Sequence, residues 1–435
     1  MKAHSNFIFS SFLFLFLIAF GGIHSQTIDY KKAKEIFSDI KKVLTKDSDK
    51  LWGIELYGPV MFADPSTREI VTNEPDQNGN LKEVEGVFFG KLEDKVNIAN
   101  TAIDWSGKKW TMVRLPLPED NDARRDLIIH EMFHRVQEKL KLNSPGATNN
   151  HLDTKDARIL VRLEWEALRS ALKNEKSAFK NDIKNALIFR ELRRKKFPEA
   201  VKSENALEIH EGLPSYTGAK LGIADPKRRI EYVYKLIDKT EVLPSFVRSF
   251  AYYSGPLYGL ILDRSNTNWR KNLKAEDDLG ALTSAAFKIQ LPKKLEKDYE
   301  NILSKYNGQR IVNFETERET KRQERDALYK SKFVDGPLLI LNLMQMNIQL
   351  NPNNVSALEG YGTVYPTARI VDKWGIIETE KGLLIDNNWQ KAIVALPFKE
   401  NGNVYEGDGW KLTLNEGWKI EKEKDSNNYV IIEKK

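Results

Sequence analysis

The chain has 435 residues, of which 41% are hydrophobic and 30% charged, so it is long enough for more than one domain and too apolar for a disordered or fibrous polymer. Against 62 acidic residues stand 68 basic ones, a net charge of +6 that is spread along the chain and requires no nucleic-acid partner. There is no cysteine, which excludes a disulfide framework and a lipid-bearing N-terminal cysteine and leaves stability to the core.

Lys2 and His4 precede an apolar block from Phe7 to Phe20, followed by Gly21-Gly22-Ile23-His24-Ser25-Gln26. The block is short for a membrane span and ends before the small residue Ser25, so residues 1–26 read as a secretory signal peptide cut near Gln26. The expected product is secreted or periplasmic, with no stable membrane insertion after cleavage.

From Ile28 to Leu44 the apolar residues Ala33, Ile36, Phe37, Ile40, Val43 and Leu44 share one helical face. Between Leu51 and Pro118 the runs Trp52 to Phe62, Glu69 to Thr72, Val87 to Phe89, Val96 to Trp105 and Trp110 to Leu117 predict a small sheet. Asp104-Trp105-Ser106-Gly107 supplies a hairpin turn. Pro118 to Asp122 provide caps and negative charge for a helix from about Ala123 to Leu142, closed by Asn143-Ser144-Pro145-Gly146. Helices are predicted over Asp156 to Lys176, Lys180 to Lys196, Ser203 to Leu221, Lys227 to Lys239 and Tyr252 to Arg264, and a solvated, mixed-charge helix over Glu315 to Lys332. After Asp335-Gly336-Pro337 the period becomes two, at Met344, Met346, Ile348 and Leu350, then at Trp410, Leu412, Leu414, Trp418 and Ile420. The expected fold class is α+β, with a small sheet plus helices over residues 27–334 and a β-rich C-terminal domain over residues 335–435.

Chemistry concentrates at His130-Glu131-Met132-Phe133-His134. Two histidines four apart lie on one helical face about one turn apart, so their imidazoles can converge on one tetrahedral ion. Glu131 can then reach a water on that ion as general base. Only His130, His134, His151 and His210 remain after the signal peptide, and half of them sit in this turn. A third ligand is needed. The short metzincin route, with glycine and histidine three and six residues further on, is closed because those positions hold Gln137 and Leu140. Glu164 and Glu166 on one later helix, and Glu208, His210 and Glu211 on another, are the candidates. Glu164 falls on the apolar stripe of Leu160, Leu163, Ala167, Leu168 and Ala171, where it needs either the site or an arginine such as Arg162 or Arg169. In the second group the stripe of Ala206, Ile209, Leu213 and Thr217 includes His210 and leaves Glu211 to one side, so periodicity does not choose between them.

The histidine pair followed much later by Glu211-Gly212-Leu213-Pro214-Ser215-Tyr216 resembles the gluzincin metallopeptidases. In the aminopeptidase N-like enzymes of that clan, a helix with Asn-Glu-Gly or Trp-Glu-Gly brings the glutamate ligand. The resemblance implies a zincin-like catalytic region and zinc held by His130, His134 and Glu211. Glu164, Glu208 and His210 become supporting candidates. Ala251-Tyr252-Tyr253-Ser254-Gly255-Pro256-Leu257-Tyr258-Gly259 resembles their Tyr-Glu-Lys-Gly segment, whose tyrosine stabilises the tetrahedral intermediate, a role the resemblance gives to Tyr252. No Gly-Ala-Met-Glu-Asn segment is present, so amino- and endopeptidase action both stay open. The function expected is hydrolysis of peptide or protein substrates. The alternative is a secreted zinc-containing binding or scaffold protein, with the strand-rich region carrying the function through aromatics such as Trp410 and Trp418.

Overall fold

The computed structural model describes residues 29–144, 149–351 and 354–434; the expected signal peptide and the Pro145-Gly146 end of the second predicted helix lie outside them. Helix α1 (Tyr30–Asp47) starts at Asp29, whose carboxylate accepts a hydrogen bond from the Lys32 amide at 2.9 Å, and it buries Ala33, Ile36, Phe37, Ile40 and Leu44 as the spacing predicts. Strands β1 (Val60–Ala63), β2 (Glu69–Thr72), β3 (Lys82–Val84), β4 (Val87–Lys91), β5 (Thr101–Trp105) and β6 (Lys108–Arg114) form one sheet in the order β3-β4-β2-β1-β6-β5. Only the β1–β6 pair is parallel. Both faces of its centre are covered. Val60 and Phe62 face the helical core, while Met61 and Ala63 face a second core with Trp105, Trp110 and Met112. Burial on both sides is why β1 reads as an unbroken apolar run.

The β5–β6 hairpin turns at Ser106 and Gly107, with φ of 47° and 80°, the doubly positive geometry whose twist matches the strands. The predicted strand from Trp52 is shorter than expected, since its first residues leave the sheet. The Trp52 indole donates to Thr217 Oγ1 at 2.9 Å and its ring packs edge-on against Phe133.

Helices α2 (Asn121–Gln137), α3 (Lys155–Lys173), α4 (Lys176–Lys196), α5 (Val201–Leu207), α6 (Leu213–Gly222), α7 (Pro226–Asp238), α8 (Ala251–Leu262), α9 (Leu279–Phe287), α10 (Tyr299–Lys305) and α11 (Gly308–Lys330) follow. A π-helical turn, Glu208–Gly212, joins α5 to α6. Two buried ion networks tie the helices together. Glu315 of α11 is fully buried and binds Arg158, Arg162 and Arg318, each at 2.7 Å, so the charged helix is solvated over only part of its surface. Arg190 and Arg193 of α4 are also buried, and together with Arg194 they hold Glu164, Glu204, Glu208 and Asp278.

Acid lability follows from these pairs. Burial alone would raise the carboxyls of Glu204, Asp278 and Glu315, but Arg193, Arg190 and Arg158 respectively hold them below their ordinary values. A carboxyl with a lower pKa folded than unfolded contributes stability that is complete above the unfolded value of about 4 and is lost as pH falls through the folded value. Thermal midpoints are therefore expected to change little on acidification to about pH 5 and to drop progressively below about pH 4; a midpoint unchanged at pH 3 contradicts this assignment.

The strand-rich region consists of β7 (Leu338–Asn342), β8 (Asn347–Leu350), β9 (Ser356–Leu358), β10 (Gly362–Tyr365), β11 (Ala368–Asp372), β12 (Gly375–Thr379), β13 (Leu383–Asp386), β14 (Lys391–Ala395), β15 (Phe398–Asn401), β16 (Val404–Gly407), β17 (Trp410–Leu414), β18 (Trp418–Lys422) and β19 (Tyr429–Glu433). Its sheets run β18-β19-β7-β14-β13-β10-β9 and β15-β16-β17-β12-β11-β8 around a core that includes Trp374, Ile377, Trp410 and Leu412. Trp410 is buried, with its indole donating to the Ala395 carbonyl at 2.9 Å, and Trp418 is half-buried, so Trp410 is a core residue rather than an exposed aromatic. Val247, from the segment before α8, is buried in this same core, and Asn97, between β4 and β5, donates to the Asn347 carbonyl at 2.9 Å, so the strands pack onto the segment entering α8 and onto the edge of the small sheet. The architecture is α+β. No helix of the described residues is long and apolar enough to cross a membrane.

Candidate metal centre

Three helical segments build the site: α2, the π-turn leading into α6, and α8. Asp120 caps α2 by accepting from the Ala123 amide at 2.8 Å, and Ile128, Ile129, Met132, Phe133 and Val136 bury the helix. His130 and Glu131 are buried on it, and His134 nearly so.

The atoms that meet are His130 Nε2, His134 Nε2 and Glu211 Oε2. The two nitrogens are 3.1 Å apart, and the carboxylate oxygen is 3.4 Å from His130 and 3.2 Å from His134. Ligand atoms about 2.0–2.1 Å from one tetrahedral ion stand about 3.3–3.4 Å apart, so this triangle has the size of one face of a zinc tetrahedron. Glu211 Oε2 is buried with no hydrogen-bond partner among the described residues, which is costly unless a cation meets it. A proton on His134 or a metal ion can fill that role. Burial alone would lower His134, yet the Glu211 carboxylate pushes it up to about 9; burial alone would raise Glu211, yet His134 and His130 hold it well below the usual carboxylate range.

Both imidazoles are oriented by neutral groups. Gln137 Nε2 donates to the carbonyls of Leu142 and His210, each at 3.0 Å, which leaves Gln137 Oε1 to accept from His134 Nδ1 at 2.8 Å. Ser215 Oγ donates to the Glu211 carbonyl at 3.0 Å and so accepts from His130 Nδ1 at 3.1 Å. In its neutral form each ring then carries its proton on Nδ1 and presents the Nε2 lone pair to the shared point, as it would to an ion that displaces the second proton of His134. Gln137 also connects α2 to the π-turn, and Ser215 lies one helical turn beyond Glu211. In sequence Gln137 only closes the metzincin route, and Ser215 carries no signal of its own beyond its place in the Glu211–Tyr216 segment. Their spacing of three and four residues from His134 and Glu211 was the available signal.

Glu131 Oε1 is 4.0 Å from His130 Nε2, and its Oε2 is buried without a hydrogen-bond partner. Burial raises its carboxyl, which makes it a stronger proton acceptor when ionised. The Tyr252 ring stacks on the His130 imidazole at 5.4 Å with planes 8° apart. Burial first, and then the Glu211 and Glu131 carboxylates, push its phenol well above the ordinary value, so the hydroxyl is a hydrogen-bond donor. Glycines permit this approach. A Cβ on Gly255 would stand 2.1 Å from the Gly212 carbonyl oxygen, and one on Gly212 would stand 3.0 Å from the Gly255 Cα, so α8 and the π-turn touch backbone to backbone.

The other carboxylates go elsewhere. Glu164 accepts from Arg190 at 3.1 Å, Arg193 at 2.5 Å and Tyr258 at 2.6 Å, so its arginines come from α4, not Arg162 or Arg169 of its own helix, and its phenol from α8. Glu208 accepts from Arg190 at 2.9 and 2.5 Å. Both are neutralised away from the histidines. Glu166 lies 3.6 Å from Arg169, and His151 contacts Glu204 at 2.8 Å. His210 borders the site, with its ring 5.3 Å from His134 and its Nε2 3.9 Å from Glu211 Oε1. The apolar stripe of a regular helix left Glu211 to one side; the extra residue of the π-turn turns it toward His130 and His134. Comparisons of this chain with protein-family models, with curated proteins and with solved structures find no match.

Proposed function

We propose that this chain is an exported zinc-dependent metallopeptidase of gluzincin type, with a zincin-like catalytic region over residues 27–334 and a β-rich C-terminal domain over residues 335–435. The observation that carries the reading is the convergence of His130 Nε2, His134 Nε2 and the unpartnered Glu211 Oε2 on one point, with Glu131 beside it. His130, His134 and Glu211 would hold a zinc ion, which would supply a Lewis acid for the scissile carbonyl and acidify the attacking water toward about 7. Glu131 takes the proton of the attacking water and passes it to the leaving amine. Tyr252 donates to the carbonyl oxygen as negative charge develops on it. His130 and His134 stay oriented through Ser215 and Gln137.

The other reading is a binding or scaffold protein with structural zinc. Against it stands Glu131, because a structural site has no use for a buried carboxylate with a free oxygen. Metal analysis of the purified mature protein with a broad peptide-library digest tests the proposal. The expected result is one zinc per chain and defined peptide products, and a folded protein with neither sinks it.

Tyr252→Phe deletes one hydroxyl beside the cluster and should lower turnover on the order of 100-fold with metal content and thermal midpoint unchanged. Tyr258→Phe is the control. Its hydroxyl bonds Glu164 in the ion network, so its loss should cost about 1–3 kcal/mol of stability and leave the turnover of folded protein intact. Reversed results exchange the roles of the two tyrosines.

A further inference from the structure

The segment entering α8 carries a cation that the proposed chemistry does not use. The Phe250 amide donates to the Phe246 carbonyl at 3.2 Å and the Ser254 amide to the Phe250 carbonyl at 3.1 Å, so the helical path begins before Ala251. Arg248 therefore lies about one turn ahead of Tyr252. It is half-buried, and its Nη1 is buried without a hydrogen-bond partner among the described residues. Arg158, Arg190, Arg193 and Arg194 are buried too, but each holds a carboxylate, and Arg248 holds none among the described residues.

Side chains of two regions surround it. On one side its positive charge acts on His210 and Tyr252. On the other, across the seam with the strands, its guanidinium stands 5.8 Å from the Trp389 ring centre, and the Tyr365 ring is 6.0 Å from Trp389. The buried Tyr365 hydroxyl lies within reach of the Arg248 guanidinium. The Tyr365 hydroxyl oxygen can accept from Arg248 but carries no charge, so the guanidinium lacks the anionic partner that Arg158, Arg190, Arg193 and Arg194 have, and a planar carboxylate would supply it.

We propose that Arg248 forms a subsite for a carboxylate of the bound peptide. One helical turn is about 5.4 Å and an extended residue spans about 3.3–3.6 Å, which puts that carboxylate about one or two residues from the carbonyl facing Tyr252. Either a C-terminal α-carboxylate or an Asp or Glu side chain supplies the group. What is cleaved rests on the peptidase reading; what is bound does not.

The test is titration calorimetry on the full mature chain carrying Glu131→Gln, which spares the peptides. The probes are N-acetylated tripeptides as free acids and as C-terminal amides, together with amides containing Glu or Gln. The carboxylate forms should bind about 10- to 100-fold more tightly than their neutral partners. Arg248→Gln should abolish the preference with the thermal midpoint kept, and Arg248→Lys should retain part of it. Preference for the free acid identifies the α-carboxylate, and preference for Glu over Gln in the amides identifies the side chain. No preference of either kind, or one that survives Arg248→Gln, overturns the subsite. Binding that depends on Arg248 in a protein with no zinc and no cleavage keeps the subsite and removes the peptidase. Zinc and cleavage with equal kcat/KM for acid, Glu, Gln and amide forms do the reverse.

Discussion

Glu131→Gln is expected to lower turnover by about 100- to 10,000-fold while zinc stays bound. The substitution keeps the length and shape of the side chain, and neither His130 nor His134 depends on the carboxylate for its orientation, which comes from Ser215 and Gln137. Only the capacity to take a proton is lost. Burial makes that capacity matter more, because a carboxylate away from water holds a proton more strongly than an exposed one. Steady-state rates on the best library peptide, with zinc counted by mass spectrometry on the same sample, give both quantities at once. Full activity in the Gln protein would remove Glu131 from the mechanism; loss of metal along with activity would make it a ligand.

Glu211→Ala should leave the protein folded and nearly free of zinc, as should His130→Ala and His134→Ala, because each removes one corner of the triangle. Glu164→Ala and Glu208→Ala should behave differently. They strip a carboxylate from Arg190, which is 1% exposed and cannot reach water for compensation, so the expected loss is about 3–5 kcal/mol of stability. Comparing thermal midpoints in chelator with metal content separates the two groups. Ligand variants should match the parent midpoint once metal is removed, whereas network variants should melt early with or without it. Zinc retained by Glu211→Ala and lost by a folded His210→Ala protein would move the third ligand by one residue.

How much of this was legible follows from how local each feature is. The five-residue motif on α2 could be read directly, because a spacing of four on a helix places two side chains on one face whatever surrounds them. The first helix, the strand over Glu69–Thr72 and the hairpin at Ser106-Gly107 are local in the same sense. The assignment of Glu211 from periodicity was not available, because the stripe of Ile209 and Leu213 presumes 3.6 residues per turn and the chain makes a π-turn at Glu208–Gly212. The charged run from Glu315 looks solvated in sequence, yet its first residue is buried among three arginines.

By itself the sequence determined the alternation of helical and strand texture, the helix that carries His130, Glu131 and His134, and the short set of acids able to complete the cluster. Tertiary structure alone decided among those acids. Arg190 and Arg193, on the helix predicted over Lys180 to Lys196, fold inward and neutralise Glu164 and Glu208, leaving Glu211 as the carboxylate facing the histidines. It also decided that Gly212 and Gly255 meet backbone to backbone, so that Tyr252 stacks on His130, and that Arg248 reaches the seam with Trp389 and Tyr365. The physical reason is the same in each case. Periodicity encodes which side of its own element a residue faces, whereas the pairing of buried charges and the close approach of backbones depend on which distant elements pack together.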